Sequence, residues 1–199
     1  FDPIFHYGQM AEALEKLDDG SWLLTTSDGV KLNAPVVVIA AGGGSFVPKR
    51  PPLSDLDDFE ASGAVLYAVR KRDTLAGKRL VIAGGGDSAL DWTVNLVDIA
   101  GSVTLVHRRD DFRAAPDTVA KMRALVAEGR VTLHIGQLKG LEGTGGQLDN
   151  VLVQAAGAEA PDALAADVLL PFYGLTMKLG PIAEFGLNLE ENLIPVDTE

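Results

Sequence analysis

The sequence predicts an α/β fold whose centre is a parallel sheet, joined to an antiparallel β-meander. Three observations carry this. Apolar runs that read as strands alternate with helical patterns between Lys78 and Ile135, which makes βαβ units and hence parallel strands. A glycine triplet, Gly84-Gly85-Gly86, lies between one such strand and one such helix. The stretch from Gly136 to Ala165 is rich in Gly and Ala with short β-prone pieces, the pattern of a meander. The 199 residues suffice for one large domain or two small ones.

From the first residue onward, Gln9–Asp18 places Met10, Leu14 and Leu17 at helical spacing, so a short amphipathic helix is expected. Ser21–Ser27 and Val30–Asn33 flank Asp28-Gly29, a hairpin signal. Val36–Ala41 is wholly apolar and predicts a strand buried on both faces. Gly42–Asp58 contains Pro48, Pro51 and Pro52, which oppose a prompt helix start, so it reads as a linker. A second series follows: strands at Ala64–Val69 and Lys78–Ala83, a helix at Asp87–Ile99 and a strand at Ser102–His107. Next come a helix at Ala115–Glu128 ended by Gly129, a strand at Val131–Ile135, the meander, and a buried strand at Val168–Tyr173. Leu193-Ile194-Pro195-Val196 reads as one more strand.

His6-Tyr7-Gly8-Gln9 and His134-Ile135-Gly136-Gln137 share the pattern H-x-G-Q, 128 residues apart. Each precedes β-prone pieces and then an apolar run ending at a glycine, Gly42 or Gly174, so the order of elements predicts a duplicated architecture. The second copy has its glycine loop 50 residues before its H-x-G-Q, and the first copy's counterpart would lie before residue 1. The opening Phe1-Asp2-Pro3, without Met or a basic apolar leader, likewise suggests a start inside a longer protein.

Composition excludes several chemistries. A net charge of −11 makes the chain a poor general ligand for nucleic acid or an anionic membrane, so neither is expected as a partner and an anion site must be a local basic patch. With no Cys there is no disulfide, thiolate zinc site, iron–sulfur ligation or thiol relay within it, which fits a cytoplasmic setting. The uncharged stretch Leu32–Val47 is shorter than a membrane span and is broken by Pro35 and a glycine run. Three scattered histidines offer no paired metal spacing, and no serine sits in a G-x-S-x-G elbow. Trp22 and Trp92 read as packing residues.

The strongest local signal runs from Leu80 to Asp91 and matches G-x-G-x-x-A in a strand–loop–helix setting. Gly84 permits the tight turn, Gly86 lets backbone approach a pyrophosphate, and Ala89 lets the helix pack close to the strand. The helix then offers free N–H donors and the positive end of its dipole to phosphates. The loop Gly84, Gly85, Gly86, Asp87, Ser88 and Ala89 is therefore the expected dinucleotide site, with Asp87 read first as a plain first-turn residue. Gly42-Gly43-Gly44 also follows an apolar run but precedes prolines, so it suits a crossing near a cofactor better than a phosphate loop. Where NAD sites carry a carboxylate for the ribose, the strand here runs into His107-Arg108-Arg109-Asp110-Asp111-Phe112-Arg113, with His107 23 residues after Gly84. Arginine forks match a 2′-phosphate, so NADP(H) is expected over NAD. The competing account is a solvated charge run in which Asp110 and Asp111 pair the arginines locally.

Gly84-Gly85-Gly86-Asp87-Ser88-Ala89-Leu90-Asp91-Trp92, with His107-Arg108-Arg109-Asp110-Asp111-Phe112-Arg113-Ala114, resembles the pyridine-nucleotide half of the thioredoxin reductase family. The resemblance extends to Tyr173-Gly174, Leu179-Gly180-Pro181-Ile182 and Gly186-Leu187. It implies a Rossmann-like NADP-binding domain at residues 49–173, flanked by pieces of a second, similar FAD-binding domain at 1–48 and 174–199, usually in a homodimer. The family's C-x-x-C pair is missing: the corresponding stretch, Leu66–Asp73, has no thiol. The cysteine-free branch it looks most like is the ferredoxin–NADP reductases of thioredoxin-reductase type. Those flavoproteins pass hydride between NADPH and FAD N5 and single electrons to ferredoxin or flavodoxin, with no side chain needed as acid or base. By this resemblance Gly84, Gly86, Ser88, Arg108, Arg109 and Arg113 would hold NADP, and Ala41 and Gly42 would lie near the flavin. Two other functions stay open on the residues: a non-catalytic NADP-binding regulatory module, and a flavoprotein acting on a different acceptor through a partner's thiols.

Overall fold

The structure, a computed structural model, describes residues 2–42, 44–190 and 193–195. The chain divides into two compact units, one of Phe1–Val47 with Leu175–Glu199 and one of Pro48–Gly174.

In the first unit, β1 (Ala11–Lys16), β2 (Trp22–Thr26) and β3 (Lys31–Ala34) form a three-stranded antiparallel meander in that order. The Asp28-Gly29 hairpin thus forms as expected, with Gly29 N–H donating to the Thr26 carbonyl at 2.8 Å. The helix expected over Gln9–Asp18 is instead β1. An isolated helix this short pays a nucleation cost that one turn of apolar spacing does not offset. The strand gains a ladder to β2 in which Leu14 lies opposite Leu24. Val36–Ala41 is not a strand either: Val36 and Val38 are 70% and 82% exposed. Among the described residues no strand lies beside it, so the inter-strand bonds that would fix it are not made. β4 (Ser45–Pro48) pairs with Leu175–Lys178 in a two-stranded sheet. It occupies part of the expected linker, and Pro48 is tolerated there because the strand is an edge. Of the expected final strand, Leu193 makes only an isolated bridge with Glu190, and Val196 lies outside the described residues.

The first helix of the second unit is α1 (Leu56–Ser62), which starts within the last residues of the expected linker and buries Leu56 and Phe59. The strand expected over Ala64–Val69 shrinks to a parallel bridge from Val65 to Leu169. Then come β5 (Arg79–Ala83), α2 (Asp87–Leu96), β6 (Ser102–His107), α3 (Pro116–Ala127) and β7 (Thr132–Ile135). The meander is β8 (Gln137–Thr144), β9 (Gln147–Gln154) and β10 (Asp162–Ala165), and β11 (Val168–Pro171) returns to the sheet. The four-stranded sheet is parallel with order β11-β5-β6-β7, and the meander is antiparallel with order β10-β9-β8, so the expected α/β class holds. Both H-x-G-Q segments precede a three-stranded antiparallel meander.

Alternation along β5 divides the core. Leu80 and Ile82 join Leu90, Leu96 and Met122 under the helices, while Val81 and Ala83 join Leu148, Val151 and Val153 under the meander. With both sheet faces covered, β5 has no polar face to present, which is why its run is uninterruptedly apolar. Asp167 pins the register: its carboxylate accepts the Arg79 backbone N–H at 2.7 Å and the guanidinium Nε at 3.0 Å, beside the starts of β11 and β5.

Candidate functional site

Three strands run out at one sheet edge: β5 into Gly84, β6 into Arg108 and β7 into Gly136. The chain winds from β5 through β6 to β7, while β11 lies on the other side of β5, so the strand order reverses between β5 and β11. Ligands of open α/β sheets bind outside the carboxyl ends at such a point.

The three glycines there have different physical reasons. Gly84 has φ +152°, and a Cβ on it would lie 2.7 Å from the Phe172 carbonyl oxygen and 2.9 Å from the Ala89 Cβ. A side chain is excluded by both backbone and packing. At Gly85 a Cβ would sit 2.4 Å from the His107 ring, so that imidazole fills the space. At Gly86 the backbone is extended and a Cβ would meet nothing within 4 Å. Neither conformation nor packing requires glycine at 86. What its bareness leaves is free approach to the first turn of α2, where the N–H groups of Asp87 and Ser88 donate to no protein acceptor among the described residues. This cradle and its dipole fit an anionic phosphate group.

Ser88 is exposed at that turn and Ala89 is fully buried against Gly84. The Asp87 carboxylate turns away from the loop: Oδ1 accepts the Ala115 N–H at 2.8 Å, capping α3 from outside. Asp91 makes a second tie between the helices by accepting the Thr118 hydroxyl at 3.2 Å.

Beyond β6, Arg108, Arg109 and Arg113 are exposed. The Arg113 N–H donates to the Gly85 carbonyl at 2.7 Å, which draws the arginine segment onto the glycine loop. Asp110 pairs with Arg123 of α3, and Asp111 meets Arg109 at 3.6 Å. Among the described residues Arg108 and Arg113 make no ion pair, so local pairing by Asp110 and Asp111 leaves two guanidinium groups unneutralised. His107 tilts against Phe112 with centroids 5.3 Å apart, and Arg123 lies over the other aromatic partner at 5.2 Å. Burial holds the His107 pKa below its ordinary value, helped by the Arg108 and Arg109 charges and opposed by a backbone hydrogen bond at Asp111. Across β5, Tyr173 follows β11, its hydroxyl pushed up to about 12 by burial.

Ala41 and Gly42 belong to the first unit, where both are exposed and the Gly44 N–H donates to the Ala41 carbonyl at 3.1 Å. Gly43 lies outside the described residues. Among the described residues no group of three His, Cys, Asp or Glu side chains could hold a metal, and no helix is long and apolar enough to cross a membrane. Two features escaped the sequence: the pairing of Gly85 with His107, which needs the β5–β6 register, and a lysine on β8, Lys139, that lines a cavity with Arg108. Nothing in the local pattern marks either.

A sequence profile described as pyridine nucleotide-disulphide oxidoreductase matches residues 8–199. A protein of Parvibaculum lavamentivorans named ferredoxin–NADP reductase is 54% identical over 200 residues, covering 100% of this chain and 57% of that protein. One of the same name from Bradyrhizobium sp. (strain ORS 278) is 53% identical over 198 residues with the same coverage. This chain therefore spans little more than half the length of the curated relatives it matches. Among solved structures, thioredoxin reductase of Lactococcus lactis superposes with TM-score 0.76 at 20% identity, over 95% of this chain and 60% of that one. That of T. acidophilum gives 0.77 at 18% identity, over 96% and 60%. At such identities the structures speak for the fold, while the profile covers nearly the whole sequence. The chain belongs to the pyridine nucleotide-disulphide oxidoreductase family.

Proposed function

We propose that the unit Pro48–Gly174 binds NADP(H), and that the chain is the NADP-binding portion of a flavin-dependent ferredoxin–NADP reductase. The observation that carries the binding assignment is Gly86, a glycine that neither backbone nor neighbours require, set before unpaired helix N–H groups. The assignment of reductase activity is supported by relatives of that name at 53–54% identity along the whole chain. In this account the first turn of α2 receives the pyrophosphate at Gly84, Gly85, Gly86 and Ser88. Arg108, Arg109 and Arg113 hold the 2′-phosphate, and His107 and Asp87 position that segment. Residues 1–47 and 175–199 are pieces of an FAD-binding domain, with Ala41 and Gly42 near the flavin. The chemistry supplied by the two cofactors when bound is hydride exchange between nicotinamide and flavin N5, and single-electron exchange with ferredoxin or flavodoxin. The chain's own work is to bind and orient, and no side chain serves as acid or base. The whole protein acts as a cytoplasmic homodimer.

Calorimetric titration with 2′,5′-ADP and with 5′-AMP tests the binding assignment. Preference for 2′,5′-ADP by about 2–4 kcal/mol, roughly 30- to 1000-fold, is expected. Equal affinities would reduce the arginine segment to a solvated charge run. For the whole protein, Arg108→Ala with Arg109→Ala should raise KM for NADPH far more than for NADH in reduction of ferredoxin. Equal losses would place the arginines in folding instead.

A further inference from the structure

We infer that Lys139 is a further specificity residue of this site, turned by a β-bulge into the cavity that Arg108 lines, where the two cations grip the 2′-phosphate together. The inference rests on the dinucleotide assignment and adds a residue outside both sequence motifs. In the β8–β9 ladder Gln137 lies opposite Gln154 and Leu138 opposite Val153, but the next pair is Gly140 with Leu152. Lys139 is the unpaired residue. A bulge of this kind bends the strand and re-aims the side chain it carries. The side chain borders a cavity of about 240 Å3 with Arg108, Gln137, Gln154 and the loop Ala155–Ala158.

Other contacts build this cavity rather than leave it a chance gap. Gly136 N–H donates to the His107 carbonyl at 2.9 Å, fastening the β7–β8 corner beside the arginine segment. A Cβ at Gly136 would lie 2.8 Å from the Gln154 carbonyl oxygen, so the corner closes tightly on the end of β9. Gln154 Nε2 donates to the Ala158 carbonyl at 2.8 Å and holds the far loop.

Charge then selects the ligand. Among the described residues no carboxylate lines the cavity, and neither Arg108 nor Lys139 makes an ion pair. In a chain with 28 carboxylates and 17 Lys and Arg, two neighbouring cations without a partner repel each other where counter-charge is plentiful. A phosphate monoester dianion supplies two negative charges and acceptors for both. The position agrees: the cavity lies beyond β6 and β7, on the sheet edge where β5 gives way to the glycine loop. A dinucleotide with its pyrophosphate on α2 extends its adenosine half along those strand ends.

The test compares the chain with Lys139→Gln and Lys139→Arg by calorimetric titration with 2′,5′-ADP and with 5′-AMP. Lys139→Gln should weaken 2′,5′-ADP by about tenfold, the worth of one exposed charge-assisted hydrogen bond. It should leave 5′-AMP unchanged, and Lys139→Arg should restore discrimination. Undiminished 2′,5′-ADP affinity in Lys139→Gln, or equal weakening of both ligands, would overturn the role of Lys139 while the parent chain still discriminates. A parent chain that binds the two alike would overturn the dinucleotide assignment, and this inference with it.

Discussion

Replacing Gly86 by Ala separates a ligand-binding glycine from a structural one. The extended backbone at 86 accepts any residue, and the new Cβ would meet nothing within 4 Å. Alanine loses a little as an N-cap and gains a little by restricting the unfolded chain, so stability should change by less than about 1 kcal/mol. Binding should not be spared, because the Cβ projects into the approach to the Asp87 and Ser88 N–H groups. Losing one charge-assisted backbone hydrogen bond to phosphate costs roughly 1.5–3 kcal/mol, about 10- to 150-fold in affinity. Gly84→Ala provides the contrast. There φ is +152°, and the Cβ would stand 2.7 Å from a backbone oxygen and 2.9 Å from the Ala89 Cβ. Backbone strain and overpacking each add roughly 1–3 kcal/mol, so this variant should lose stability first and binding as a consequence. Urea unfolding followed by circular dichroism, with NADP+ titration of each folded variant, reads both quantities. Gly86→Ala binding NADP+ as tightly as the parent would refute the reasoning from bareness to ligand approach. A collapsed unfolding midpoint in Gly86→Ala would show that packing demands glycine there after all.

Two further outcomes follow from contacts at the same edge. Asp87→Ala removes the cap on the Ala115 N–H and should destabilise the fold by about 1 kcal/mol in urea. Nucleotide affinity should fall only in step with the loosened seating of the arginine segment; a large loss of affinity at unchanged stability would make Asp87 a ligand residue. His107 is held below its ordinary 6.5, mainly by burial, so the unfolded chain takes up its proton more readily than the folded one. The stability contributed by the neutral imidazole is therefore complete above 6.5 and is lost as pH falls from there through the folded value. His107→Gln should flatten the dependence of the unfolding midpoint on pH in that range, and an unchanged slope would assign it to other groups.

How far the fold was legible depended on where each segment finds its partners. β5 and β6 stood out because both faces of the parallel sheet are buried, so Leu80-Val81-Ile82-Ala83 carries no polar residue and Val103–Val106 only Thr104. The meander was legible from its short β-prone pieces set among Gly and Ala. In the first unit the same signals misled. Met10, Leu14 and Leu17 fit a helical face as well as a bulged strand, and only the ladder to β2 decides between them. Val36–Ala41 has the composition of a buried strand, but composition supplies no neighbour, and among the described residues none is paired with it. At the site the residue types announced phosphate chemistry and the separate tasks of Gly84 and Gly86, while nothing in one dimension showed that the His107 ring fills the space beside Gly85. Lys139 gave no signal, because a bulge is a property of two strands and not of one.

The glycine loop and the arginine segment, read from the sequence as two motifs, are physically one. The missing Cβ of Gly85 is occupied by the His107 ring, and the Gly85 carbonyl accepts the Arg113 N–H. Asp87, at the start of α2, caps the helix that follows the arginines. Three ties thus join residues 85–87 to residues 107–115, and each lies beside a position that phosphate chemistry would select. A side chain at 85 would evict His107 and shift the arginine segment without touching an arginine. Conversely, Arg108 and Arg109 take part in none of the three ties, so their side chains can change while the loop keeps its shape. On the proposed function, cofactor preference is therefore the adjustable property of this edge. The fixed one is the seating of the segment, which His107, Arg113 and Asp87 share with the loop itself.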